Sequence, residues 1–159
     1  MRISPAILWV VFLSGLVGSG QTLADIAVIA SNESPLSALT PHEVADLYLG
    51  LTRSVGAHAE FSVVVYEHPD NSLRANFYRI LNGMSINQLN AYWARLQFSG
   101  AVLPPVRLPD SQAVLDAVSH HSNAIGYIET NRLNDSVKVL RLFQEGQGND
   151  PSVRPVASQ

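Results

Sequence analysis

Residues 61–81 read FSVVVYEHPDNSLRANFYRIL. Phe61 to Tyr66 are β-branched and aromatic with one serine, the composition of a strand. Pro69-Asp70-Asn71-Ser72 then supplies side chains that favour turns and helix starts. Leu73, Phe77 and Ile80 or Leu81 follow at helical spacing, which predicts an amphipathic helix. Strand, short polar turn and helix together form the building unit of a layered α/β protein.

The flanking sequence extends the pattern. Ile26-Ala27-Val28-Ile29-Ala30 is a continuous apolar run and predicts a buried strand. Ser31-Asn32-Glu33-Ser34-Pro35 predicts a loop. Thr40-Pro41-His42-Glu43 predicts a helix start: Thr40 caps, Pro41 needs no donor at the first helical position, and Glu43 completes a capping box. Gly50 is placed to end that helix. Asn82-Gly83 closes the helix after Tyr66, and Ser85 caps another with Ile86, Leu89, Trp93 and Leu96 in one stripe. Gly100 and Pro104-Pro105 predict a loop, and Asp110 or Ser111 opens a last helix with Val114, Leu115 and Val118. Ala124 to Ile128 and Val137 to Leu142 predict two final strands. The expected order is β-α-β-α-α-α-β-β, an α/β fold with a mixed β-sheet flanked by helices.

The ends of the chain read differently. Arg2 and the apolar run Ala6–Val17, followed by Gly18-Ser19-Gly20 and Thr22-Leu23-Ala24, have the pattern of a cleaved secretory signal peptide over residues 1–24. The folded domain is expected over residues 25–143. Residues 144–159 are rich in Gly, Pro, Ser and Gln, the composition of a disordered tail. These readings imply an exported, periplasmic protein that is not embedded in the membrane.

Composition narrows the function. Ten Lys+Arg against 13 Asp+Glu leave a formal charge of −3, which argues against nucleic-acid binding through a basic face. Zero cysteines exclude disulfides, thiolate metal sites and a cysteine nucleophile. Gly83-Met84-Ser85-Ile86-Asn87 lacks the second glycine of a nucleophile elbow, so Ser85 reads as a helix cap. His42, His58, His120 and His121 are not spaced as metal ligands, and no phosphate or dinucleotide loop occurs. No catalytic residues, metal or cofactor are expected.

The segment Tyr66–Arg74 can do chemistry without a cofactor. A helix start exposes free N–H groups and the positive end of the helix dipole, and Asn71, Ser72 and Arg74 stand there. Helix capping by Asp70, Asn71 or Ser72 accounts for the same residues.

Five ordered stretches carry a family resemblance: Ile26–Pro35; Leu39-Thr40-Pro41-His42-Glu43-Val44-Ala45-Asp46-Leu47-Tyr48-Leu49-Gly50; Arg74-Ala75-Asn76-Phe77-Tyr78; Gln88–Gly100 with Ala91-Tyr92-Trp93; and Asn123-Ala124-Ile125-Gly126-Tyr127-Ile128. Together they resemble the small phosphate-binding-protein-like members of the periplasmic solute-binding superfamily, relatives of the phosphate receptor of ABC transporters. The resemblance covers residues 26–143 and implies one lobe of a clamp, with non-catalytic binding of phosphate or a similar oxyanion. In register with the family's Ser-Gly-Thr, it implies ligand donors at Asn71 and Ser72, with Leu73 in the third place. Arg74 is implied beside them, with Ser31, Asn32 and Ser34 from the first strand's loop. Glu67 stands where the family has an arginine. The alternative is an interaction module that kept the fold without the ligand and contacts an envelope transporter or sensor protein.

Overall fold

A computed structural model describes residues 25–56, 60–69, 71–100 and 102–144. The expected signal peptide, Asp70, His58 and all of the expected tail beyond Gln144 lie outside the described residues. Five strands form one sheet: β1 (Ile26–Ser31), β2 (Val64–Glu67), β3 (Val106–Arg107), β4 (Ala124–Glu129) and β5 (Val137–Phe143). Four α-helices flank it: α1 (Pro41–Tyr48), α2 (Asn71–Asn82), α3 (Ile86–Phe98) and α4 (Ser111–His120).

The strand order is β3-β2-β4-β1-β5. Strands β2, β3 and β4 run parallel to one another, and β1 is antiparallel to both β4 and β5. This is the mixed sheet that the sequence predicts. β1 lies inside it and is covered on both faces, so its apolar residues need not alternate with polar ones. Ile26, Val28 and Ala30 face a core shared with α1, α2 and α3. Ala27 and Ile29 face a second core built on Val114, Leu115 and Val118 of α4.

Local chemistry fixes the ends of the elements. Thr40 Oγ1 accepts from Glu43 N at 3.2 Å, and Glu43 Oε2 accepts from Thr40 N at 2.8 Å. Gly50 follows α1 at φ 69°. Ser85 and Gln88 form a second capping box on α3, and Asp110 caps α4 by accepting from Ala113 N at 2.8 Å. Gly126 matters for packing instead. A Cβ there would lie 2.5 Å from Val114 Cγ1, so α4 rests against β4 only because no side chain intervenes.

Two expectations change. The strand predicted from Phe61 begins at Val64, because Val63 N donates to Arg53 O at 2.7 Å in a loop contact outside the sheet. The segment after Pro104-Pro105, read as a loop, contains the two-residue edge strand β3, paired with β2 as Tyr66↔Val106 and Glu67↔Arg107.

Candidate functional site

Because β2, β3 and β4 are parallel, their carboxyl ends meet at one edge of the sheet. In open α/β sheets that edge is where ligands bind. Glu67 ends β2 with His68 just beyond it, Arg107 ends β3 and Glu129 ends β4. The first turns of α2 and α4 start from the same edge.

Glu67 is the centre of the arrangement. It is 1% exposed, a rare state for a carboxylate unless its charge is paired. Its Oε2 lies 2.9 Å from Arg74 Nε, an ion pair whose N–H does not point along the hydrogen-bond axis. The same oxygen accepts from Arg107 Nε at 3.0 Å, and Oε1 accepts from the Tyr78 hydroxyl at 2.8 Å. Strand register explains the Arg107 contact, since Glu67 and Arg107 are paired residues of neighbouring parallel strands.

The two arginines differ in accessibility. The Arg74 side chain is 3% exposed and that of Arg107 is 55% exposed. Arg74 also donates to Asn90 Oδ1 at 3.3 Å and lies 5.8 Å from the Tyr78 ring centroid. It is therefore held inside the fold. Arg107 is anchored through Nε while most of its side chain faces solvent.

Three buried phenols surround the carboxylate. Burial holds Tyr48, Tyr78 and Tyr127 well above the usual tyrosine range, and the charge of Glu67 adds to the effect at each. They stay protonated at neutral pH, and Tyr78 thereby remains a donor to Glu67.

A second chain of contacts closes the edge. Ser111 Oγ donates to Glu129 Oε2 at 2.8 Å and lies 2.8 Å from His68 Nε2. This trio ties the end of β2 to α4 and β4 across the edge.

The expected site residues separate into two groups. Asn71 opens α2, Ser72 is exposed in its first turn, and Arg74 is one turn in but buried against Glu67. Ser31, Asn32 and Ser34 are elsewhere. β1 is antiparallel to β4, with Ala30 opposite Ile125 and Ile26 opposite Glu129, so the end of β1 lies at the opposite edge. There Ser31 Oγ donates to Ser119 O at 3.3 Å, Asn32 Nδ2 donates to Asp135 O at 2.8 Å, and Ser34 Oγ accepts from Leu36 N at 3.4 Å. These contacts order the loop, and the geometry does not bring the three residues to α2. Sequence reasoning missed Arg107; its signal was a Val-Arg-Leu alternation just before the Pro109-Asp110 helix start.

Among the described residues, no group of three or more His, Asp or Glu could hold a metal ion. None of the helices described is long and apolar enough to cross a membrane.

The sheet order and flanking helices define a single α/β lobe of the periplasmic-binding-protein type. Two of the solved structures it resembles are described as phosphate-transport proteins. A putative phosphate ABC transporter substrate-binding protein with bound phosphate, from Clostridium perfringens, superposes with a TM-score of 0.57 at 22% identity, over 76% of this chain and 46% of that one. An ABC-type phosphate transport receptor from Vibrio cholerae superposes with a TM-score of 0.58 at 18% identity, over 76% and 47%. The chain thus spans about half the length of these structures. No family model and no curated protein matches the sequence.

Proposed function

We propose that this protein is an exported, non-catalytic solute-binding lobe that takes phosphate or a similar oxyanion at the carboxyl edge of its sheet. The observation that carries the reading is the state of Arg107. Its guanidinium is oriented by Glu67 through Nε, is mostly exposed, and is linked through that carboxylate to the first turn of α2. The anion would accept from the helix-start amides at Asn71 and Ser72, from the Ser72 hydroxyl and from Arg107.

Charge sets the expected strength. Glu67 between Arg74 and Arg107 leaves one net positive charge, which the nearby Glu129 offsets. A site of this balance is expected to bind weakly. The leader-like residues 1–24 and the likeness to transport proteins support export to the periplasm.

Calorimetric titration of phosphate tests the reading. Saturable heat is expected, with an affinity that falls about tenfold in Arg107→Ala, equivalent to roughly 1.4 kcal/mol. Absence of heat and of thermal stabilisation at millimolar phosphate overturns it.

One observation favours a second reading. The Glu67 carboxylate already engages the buried Arg74 charge, as an internal substitute for an anion would. On that reading the lobe presents a surface to an envelope transporter or sensor protein and needs no ligand.

A further inference from the structure

A different face of the molecule carries an inference independent of the anion site. Beside the β2–β3 edge of the sheet runs a groove of about 200 Å³ whose walls include Val63, Trp93, Leu103, Pro104 and Arg53. A shallower depression continues from it past Arg53 and Leu103 to Gln97 and Gly100. Two apolar side chains in its walls stand well exposed, Leu103 at 75% and Val106 at 52%, and Phe98 and Leu51 are exposed on the segments that supply other wall residues. One such residue is ordinary, but exposed apolar side chains in the walls of a groove mark an interaction surface.

Charge says what would cover it. Residues 47–59 and 71–109 contain no Asp or Glu, yet they carry Arg53, Arg74, Arg79, Arg95 and Arg107 in a chain with an acidic balance overall. All the lining residues come from segments 47–53, 63–65 and 93–106, so the groove has an arginine and no carboxylate in its walls. The prolines flanking β3 make strand addition at this edge unfavourable, so a side-chain-led contact fits better than a borrowed strand.

We propose that this groove receives a segment of a partner protein that combines an aliphatic or aromatic side chain with flanking carboxylates. The apolar side chain seats against Trp93, Leu103 and Pro104. A carboxylate of the segment pairs with Arg53.

Selection of a random displayed-peptide library against the full chain tests this directly. The expected result is enrichment of peptides with Asp or Glu beside Leu, Phe or Trp. Their binding weakens about tenfold in Leu103→Glu and in Arg53→Glu, and weakens with added salt. Both side chains are exposed, so the melting temperatures of the variants should match that of the parent. Enrichment of basic peptides, no enrichment, or binding indifferent to both substitutions overturns the proposal. So does Leu103-dependent binding to phosphatidylglycerol vesicles without peptide binding, which assigns the face to a membrane. Self-association abolished by Leu103→Glu, again without peptide binding, assigns it to a second copy of this chain and equally overturns the proposal. Phosphate binding should be unchanged in both variants.

Discussion

Replacing Glu67 with Gln preserves the shape of the side chain and removes its charge. The consequence depends on which arginine dominates. Arg107 is 55% exposed, so water screens it and its pair contributes little. Arg74 is 3% exposed and loses its counter-charge inside the fold. Breaking a buried pair by removing one partner costs about 3–5 kcal/mol, mostly the penalty of the charge left behind. The glutamine amide still accepts from Tyr78 and offsets part of this, which places the expected loss near 3 kcal/mol. For a domain of this size the melting temperature should fall by roughly 10 °C. Urea unfolding of the parent and Glu67→Gln measures it, with the midpoint moving and the slope unchanged. Adding Arg74→Met removes the stranded charge and should recover most of the loss. A loss below about 1 kcal/mol, or no recovery in the double variant, refutes the claim that Arg74 is held by Glu67.

Further expectations follow from the same geometry. Glu67→Gln removes the carboxylate charge that offsets the exposed Arg107, so phosphate should bind it about tenfold more tightly than the parent, read as a larger phosphate-dependent rise in melting temperature. The folded-state values of Tyr48, Tyr78 and Tyr127 are raised, so their stabilising contribution is complete below the unfolded value near 10 and is lost as pH climbs through the folded values. Phenolate absorbance of these three should therefore appear together with alkaline unfolding, and early reversible ionisation in the folded protein would contradict their burial. Gly126→Ala should destabilise by about 1–3 kcal/mol by pushing α4 off β4, measured by thermal unfolding. Thr40→Ala should cost about 1 kcal/mol through loss of the α1 capping box.

Much of the architecture was legible in local chemistry. The unbroken apolar run of β1 announces burial on both faces, and Thr40-Pro41-His42-Glu43 contains its capping box in four residues. β3 was hidden because two residues between prolines carry no periodicity; only pairing with β2 makes them a strand. The candidate site was half legible. The start of α2 is written in Pro69 to Ser72, but strand direction is not written locally, and it sends Ser31, Asn32 and Ser34 to the far edge. The Glu67–Arg74 pair lies within the decisive stretch, although which side chain folds inward is settled by packing against Tyr78. Arg107 reaches Glu67 across 40 positions through strand register, a contact that a single sequence does not display.

The central claim is an oxyanion site at the carboxyl edge, and amide chemical-shift mapping during a phosphate titration tests it most directly. The predicted result is saturable change confined to residues 71–74 and 107, with an affinity about tenfold weaker in Arg107→Ala. Shifts centred on residues 31–34 at the opposite edge, or no saturable shift at all, would contradict it.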